Sequence, residues 1–175
     1  MSESPKETVD RPLIGLTVGD PAGIGPEITI KALREPQIHE LVRPLVFADR
    51  AVLVQTLEML GVGMELNEVS SPSEGRYVPG VVDFVDVGVL EEPIEYGEIS
   101  AAGGRAGLGY LERGIAASLA DEVVGMATAP LNKESLQAAK VPFIDHTAVL
   151  KARAARREPM TLFVAKTLRV FFLTR

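Results

Sequence analysis

Four side chains in three separate stretches of the sequence have the chemistry to bind a charged ligand. They are Asp20, Lys133, His146 and Thr147. Each follows a predicted strand or lies at a predicted helix start, where unpaired backbone amides attract anions. Lysine, imidazole and hydroxyl groups bind phosphate through charge-assisted hydrogen bonds. An acid at the carboxyl end of a strand lies where α/β sheets place their ligands. Together these residues predict a site for a phosphate-bearing ligand.

The first stretch, Gly19–Glu27, reads GDPAGIGPE and joins an apolar strand to a helix. Pro26 suits the first helical position because its φ is already helical. The spacing Gly-x3-Gly-x-Gly matches neither the Walker pattern nor the dinucleotide fingerprint. Two interpretations remain open: a glycine-rich anion-binding loop, or a tight turn whose glycines are only structural.

The second and third stretches each have a structural alternative. Lys133 falls in the first turn of a short predicted helix, where a cation opposes the helix dipole. A bound anion would offset that cost, but a solvated lysine is the simpler interpretation. His146 and Thr147 start another helix beside Asp145, and a lone histidine there is either a ligand contact or structural.

Composition excludes several classes of protein. The net charge of −6 argues against nucleic-acid and membrane-surface partners. The chain has no cysteine, and its two histidines form no metal cluster. Residues 1–11 are polar, without the apolar core of a signal peptide, and we interpret them as a disordered tail. These features predict a cytoplasmic protein.

Strands and helices are predicted to alternate over residues 12–175, which indicates an α/β fold with a mostly parallel sheet and flanking helices. Residues 160–175 predict a terminal β-hairpin. Asp49 is expected to cap a helix ended by Gly61, and His39 is expected at the surface. Largely buried strand positions are predicted at Leu16, Val18, Val46, Phe47, Val82, Phe84, Val85, Val124, Met126, Leu162 and Val170.

Three motifs together resemble the 4-hydroxythreonine-4-phosphate dehydrogenase family of vitamin B6 (pyridoxal phosphate) biosynthesis. They are GDPAGIGPE, the T-x-P-x-x-K stretch Thr128–Lys133, and Pro142–Ala148, and the resemblance runs from about residue 12 to the end. It implies an isopropylmalate-dehydrogenase-like fold truncated to the N-terminal portion of a larger two-domain enzyme. In the family the His-Thr pair contacts the phosphorylated substrate, which carries over to His146 and Thr147. Asp145 and Ala148 depart from the family's glycine and glutamate.

The resemblance also implies the activity of the full-length protein. That activity is the NAD-dependent oxidative decarboxylation of 4-phosphohydroxy-L-threonine to 3-amino-2-oxopropyl phosphate by a homodimeric oxidoreductase. A divalent metal (Zn, Mg or Co) would be held by ligands beyond residue 175, so the 175-residue chain alone is expected to be inactive. The alternatives are a paralogue acting on another phosphorylated four-carbon hydroxy acid, and a non-catalytic phosphate-binding module.

Overall fold

The computed structural model describes residues 11–154 and 160–172, so most of the predicted N-terminal tail lies outside the described residues. The elements, in chain order, are β1 (Leu13–Thr17), α1 (Gly25–Leu33), α2 (Pro36–Leu41), β2 (Arg43–Ala48), α3 (Arg50–Leu60), β3 (Glu65–Glu68), β4 (Val81–Asp86), α4 (Ala101–Leu119), β5 (Gly125–Thr128), α5 (Lys133–Ala138), α6 (His146–Arg153), β6 (Leu162–Ala165) and β7 (Leu168–Phe171). No helix of the described segments is both long and apolar enough to cross a membrane.

Five of the strands form one parallel sheet in the order β3-β4-β2-β1-β5. In its centre, Leu16 of β1 lies opposite Val46 of β2 on one side and Ala127 of β5 on the other. Parallel strands need crossover connections, and the helices between them provide those connections. The prediction of an α/β fold with a parallel sheet and flanking helices is confirmed.

Helices cover both faces of this sheet. Alternate residues of a strand point to opposite faces. Val46 and Ala48 accordingly pack in the cluster that contains α1 and α3 side chains. Leu45 and Phe47 pack in a second cluster with Ala117 of α4. The chain therefore forms three layers, with α1 and α3 on one face and α4 on the other.

The predicted terminal hairpin is confirmed, but its predicted burial is wrong. Strands β6 and β7 pair antiparallel, with Leu162 opposite Phe171 and Phe163 opposite Val170. Leu162 is 42% exposed and Val170 is 40% exposed. The pattern correctly indicated apolar strands, but the described residues do not bury the faces of this two-stranded sheet.

The predicted burial of Val124 is also wrong, because the buried position falls one residue earlier. Val123 is 2% exposed and Val124 is 73% exposed. Val124 precedes β5, which is the edge strand of the sheet. Full burial of Val18, Val46, Phe47, Val82 and Phe84 is confirmed. Leu16, Val85 and Met126 are only partly buried.

Two further expectations need correction. His39 is buried rather than at the surface, because residues 36–41 form α2 instead of an open connection. Its Nε2 atom lies 2.9 Å from the carbonyl oxygen of Leu33. Asp49 occupies the N-cap position of α3, but its carboxylate makes no capping bond and accepts instead from the amides of Val89 and Leu90. Gly61 does end α3, with a φ of 61°.

Candidate functional site

The sheet topology predicts a crevice at the carboxyl ends of β1 and β5. Strand β1 leads into α1 on one face of the sheet, whereas β5 leads into α5, which packs against α4 on the other face. Ligands of α/β sheets bind where adjacent strands send their connections in opposite directions. The glycine-rich loop follows β1, and the stretch that contains Lys133 follows β5. The topology therefore brings the first two sequence motifs to one edge of the sheet.

Close backbone contacts account for two of the three glycines in the first motif. Gly19 has a φ of 70°, and a Cβ atom there would overlap the carbonyl oxygen of Pro130. A Cβ atom at Gly25 would overlap the carbonyl oxygen of Val18. Gly23 is different, because a Cβ atom there would lie 3.4 Å from its nearest neighbour, the carbonyl oxygen of Asp20. The structural interpretation therefore holds for Gly19 and Gly25, and Gly23 keeps room beside its backbone.

Asp20 lies at the base of this loop, against the start of α4. It is 3% exposed, and its Oδ1 atom accepts a hydrogen bond of 2.9 Å from the amide of Ala22. A Cβ atom at Gly103, in the first turn of α4, would lie 2.8 Å from Oδ1. Oδ2 is buried and has no hydrogen-bond partner. A carboxylate at the positive end of a helix dipole is stabilised, so this arrangement favours a role for Asp20 in positioning the loop.

The glycines of α4 allow this helix to approach its neighbours closely. A Cβ atom at Gly104 would overlap the carbonyl oxygen of Ser135 in α5. A Cβ atom at Gly107 would lie 3.1 Å from the carbonyl oxygen of Gly19. Ser100 caps the helix by accepting from the amide of Gly103 at 3.0 Å. The start of α4 is therefore well formed, and α4 holds α5 beside the glycine-rich loop.

Lys133 is the first residue of α5, and its side chain is exposed. The amides of Glu134 and Ser135 are already satisfied, because the side chain of Asn132 accepts from both at 2.9 and 3.2 Å. The start of α5 therefore offers a ligand the lysine side chain rather than these two amides. The described residues form no ion pair with Lys133, which leaves its charge available to an anion.

His146 is half-buried at the start of α6, and its Nε2 atom lies 3.1 Å from the carbonyl oxygen of Ala129. A carbonyl oxygen only accepts, so Nε2 carries the hydrogen and Nδ1 is left for another contact. Thr147 follows it and is also half-buried. Asp145 caps α6 by accepting from the amide of Ala148 at 2.9 Å. The aspartate that departs from the family pattern thus stabilises the helix that presents His146.

The segment Ala129–Pro130 accepts hydrogen bonds from both the glycine-rich loop and α6. The amide of Asp20 donates to the carbonyl oxygen of Pro130 at 3.0 Å, and His146 bonds to the neighbouring carbonyl oxygen of Ala129. Lys133 follows three residues later. The backbone of Asp20 and the imidazole of His146 therefore both contact the segment that leads to Lys133, and Thr147 follows His146 in the chain. That these four residues contact a single ligand stays a prediction.

The site includes a buried polar residue that the sequence did not indicate. Ser135 is fully buried, and its hydroxyl group has no hydrogen-bond partner. It lies in α5 where that helix meets Gly104. A serine in a short polar helix carries no sequence signal of such burial. Within residues 11–154 and 160–172, no three His, Cys, Asp or Glu side chains group as metal ligands.

Residues 40–175 match the family model described as pyridoxal phosphate biosynthetic protein PdxA. A curated relative from Symbiobacterium thermophilum, named "Putative D-threonate 4-phosphate dehydrogenase", is 44% identical over 94% of this chain and 50% of its own length. A Clostridium botulinum relative of the same name is 33% identical over 95% of the chain and 50% of its own length. The chain thus spans about half the length of the curated relatives it matches.

Solved structures show the same fold. A 4-hydroxythreonine-4-phosphate dehydrogenase from Burkholderia phymatum superposes with a TM-score of 0.86 and 33% identity, over 92% of this chain and 49% of that protein. A Klebsiella pneumoniae enzyme of the same name gives a TM-score of 0.84 and 29% identity, with 92% and 49% covered. The described architecture is therefore that of the N-terminal portion of these dehydrogenases.

Proposed function

The chain belongs to the PdxA family, and from that membership we propose that it forms the substrate-binding half of a dehydrogenase acting on D-threonate 4-phosphate. The observation that carries this proposal is the 44% identity with a relative named for that substrate, over nearly the whole chain. The sequence resemblance had pointed first to 4-phosphohydroxy-L-threonine. The curated relatives favour its alternative, a paralogue acting on another phosphorylated four-carbon hydroxy acid.

In this proposal the crevice between β1 and β5 holds the phosphate group of the substrate. Lys133 contributes a cation that the described residues leave unpaired. His146 contributes its Nδ1 atom, which donates to the phosphate when the imidazole ring carries a hydrogen on both nitrogens. Thr147 adds a hydroxyl group beside it. Asp20 acts differently: its buried carboxylate holds the glycine-rich loop against α4 and so keeps the crevice in shape. Charge-assisted hydrogen bonds of this kind are the strong contacts in phosphate sites.

The family resemblance supplies NAD and a divalent metal as cofactors. When bound to the whole enzyme, NAD would supply the hydride acceptor and a metal would supply Lewis-acid chemistry at the hydroxyl group. The described residues do not fit the metal, since they offer no group of three suitable ligands. We therefore propose that the metal ligands, and a second domain, belong to the half of the relatives that this chain does not match. The homodimer implied by the resemblance is part of the same proposal.

The exposed hairpin supports a two-domain arrangement. Its apolar side chains lie on both faces: Leu162, Val164 and Phe171 on one, and Phe163 and Val170 on the other. Strands that are apolar on both faces belong inside a protein, covered from two sides. Residues 12–175 are therefore proposed to be the N-terminal α/β portion of a larger dehydrogenase.

Calorimetric titration of the 175-residue chain with D-threonate 4-phosphate tests this function. We expect weak binding that Lys133→Ala reduces further, by up to about 1.5–3 kcal/mol for one charged hydrogen bond. Lys31→Ala is the matched control, because Lys31 is paired with Glu27 on the exposed side of α1. Equal affinity of Lys133→Ala and the parent chain would remove Lys133 from the site. Tighter binding of 4-phosphohydroxy-L-threonine would restore the first interpretation of the substrate.

Turnover gives an independent test of the half-enzyme proposal. Hydride transfer needs the cofactor, the metal and the substrate held together in one site. The chain alone is therefore expected to show no metal-dependent reduction of NAD. Such turnover by these 175 residues would show that the chain is a complete enzyme.

A further inference from the structure

A groove of ≈610 Å³ runs along one side of α3, between this helix and the loop 88–94. Ligand pockets in proteins have volumes of this size, about 300–1,000 Å³. The helix lines the groove with Ala51, Val54, Gln55 and Glu58, which recur at the spacing of one helix face. The groove therefore follows the axis of the helix.

The loop that forms the second wall is fastened at both ends. The carboxylate of Asp49 accepts hydrogen bonds from the amides of Val89 and Leu90 at 3.1 and 2.6 Å. The side chain of Gln55 donates to the carbonyl oxygen of Ile94 at 3.1 Å. A ligand therefore meets a wall that is already in place, so that binding does not have to order this loop.

The middle of the groove is apolar on both sides. Val54 lines it from α3, and Leu90, Pro93 and Ile94 line it from the loop. Val54 is 38% exposed, so its side chain is open to a ligand. The hydrocarbon stems of cationic side chains pack on apolar surfaces of this kind while their charged ends stay in water. The middle of the groove therefore suits a stretch of methylene groups.

Each end of the groove carries a carboxylate that can accept a cation. At one end, Oδ1 of Asp86 accepts from the amide of Arg50 at 3.2 Å, and among the described residues Oδ2 makes no hydrogen bond. At the other end, Glu58 is exposed, and its carboxylate has no ion pair within the described segments. The one cation in the lining, Arg50, is paired with Glu68 at 3.1 Å. The groove therefore favours a ligand with positive charge at both ends.

The two available carboxylates are separated by the length of α3. Asp86 bonds to the first residue of this helix, and Glu58 lies about 12 Å further along the axis at the usual helical rise. Gln55 lies between them, closer to Glu58. Its Nε2 atom is used by the loop, whereas its Oε1 atom accepts no hydrogen bond from the described residues. The polar groups therefore form a row of three acceptors beside an apolar wall.

We propose that this groove binds a linear aliphatic polyamine, with its terminal ammonium groups on Asp86 and Glu58 and its methylene groups on the apolar walls. A triamine such as spermidine fits this row. Its chain of C–C and C–N bonds, each about 1.5 Å long, spans about 11 Å when extended. Its middle ammonium group is nearer to one end, and it donates to Oε1 of Gln55. The inference concerns a ligand and a groove that the proposed function does not use.

Titration of the isotope-labelled chain with spermidine at constant ionic strength, followed by amide chemical shifts, tests the proposal. We expect the shifts in residues 50–58 and 86–94. Two diamines of equal charge separate a bridged site from general attraction to an acidic protein. Octamethylenediamine is as long as spermidine and should bind about threefold to fivefold more tightly than putrescine, the effect of one exposed ion pair. Putrescine is too short to reach both carboxylates.

Neutral substitutions at the two ends of the groove identify the anchors. Glu58→Gln and Asp86→Asn should each weaken the binding of spermidine by about threefold to fivefold and remove the preference for the longer diamine. Asn at position 86 can still accept from the amide of Arg50, so the start of α3 is kept. Glu40→Gln and Asp121→Asn make the same charge changes at exposed positions outside the groove, and both should bind as the parent chain does.

A bulky cation in the groove is the last test. Val54→Arg should block the binding of spermidine, whereas Met59→Arg, which adds the same charge to the same helix outside the lining, should not. The inference is overturned if spermidine shifts no residue of the groove, if the two diamines bind equally, or if Val54→Arg leaves binding intact. Shifts from a trilysine peptide without shifts from spermidine would also overturn it, in favour of a basic segment of a partner protein.

Discussion

The β2–β4 side of the sheet and the β6–β7 hairpin have similarly apolar strands and opposite degrees of burial. Phe47 and Phe84 in the sheet are fully buried. Phe163 and Phe171 in the hairpin are 59% and 57% exposed. The sheet strands are covered by α1, α3 and α4, which come from the same stretch of sequence. The hairpin has no comparable cover among the described residues.

This difference shows what an apolar strand pattern encodes. The pattern predicts that a strand is buried, but it does not predict which segment packs against that strand. For β2 and β4 the cover is local, so pattern and burial agree. For the hairpin we propose that the cover belongs to the half of the relatives that this chain does not match.

The largest expected effect is a contrast in stability between two phenylalanine substitutions. Phe84→Ala removes a fully buried ring from the cluster under α1 and α3 and should cost about 3–5 kcal/mol. Phe163→Ala removes an exposed ring and should change the free energy of unfolding by less than about 0.5 kcal/mol. Urea unfolding of both variants measures the contrast. Similar losses in the two would show that the hairpin is packed into the core.

A smaller effect is expected where α4 meets α5. Gly104→Ala places a methyl group on the carbonyl oxygen of Ser135, which should cost about 1–3 kcal/mol and push α5 away from the glycine-rich loop. Gly63→Ala is the control, because a Cβ atom there meets nothing within 4 Å. Urea unfolding and substrate titration of both variants provide the test. A neutral Gly104→Ala would mean that the two helices are not held in contact.

The smallest effect concerns pH and the buried Tyr77, which lies in the loop before β4 and packs in one cluster with Leu45 and Phe47 of the sheet. The hairpin strands contain no tyrosine. Burial raises the pKa of Tyr77 to about 12. The folded state therefore holds this proton more tightly than the unfolded state, whose tyrosines ionise near pH 10. The contribution of Tyr77 to the free energy of unfolding is therefore complete below about pH 10, and it is lost as the pH rises towards about 12.

Tyr77→Phe should reduce this alkaline loss by about 1 kcal/mol, since a partly solvated hydroxyl group contributes only part of the full shift. Burial also raises the pKa of Tyr110, so part of the alkaline loss should remain in the variant. Tyr96→Phe is the control, because it removes the same hydroxyl group from another tyrosine of the chain. Urea unfolding at a series of alkaline pH values measures the difference. An unchanged profile in Tyr77→Phe would contradict the account.

The sequence predicted the sheet well because its strands and helices carry local signals. The apolar runs located β1, β2 and β4, and Ser100 and Asn132 cap their helices as expected of such residues. Burial was harder to predict for residues outside the central strands. His39 is buried because residues 36–41 fold as a helix after Pro36, and Val124 is exposed because the buried position falls on Val123.

The sequence predicted which residues lie near the carboxyl edge of the sheet, and their roles stay a prediction. Asp20 and His146 both contact the segment Ala129–Pro130, which precedes Lys133, since parallel strands end at a common edge. The burial of Asp20 could not be foreseen, because it depends on α4, which is distant in sequence. The same holds for Ser135, which meets α4 through Gly104.

The β1–β5 crevice is proposed to bind the phosphorylated substrate. Titration of the isotope-labelled chain with D-threonate 4-phosphate, followed by amide chemical shifts, tests it most directly. We expect the signals that move to belong to residues 19–27, 128–133 and 145–148, with the hairpin unaffected. Absence of any shift, or shifts confined to residues outside these three segments, would contradict it.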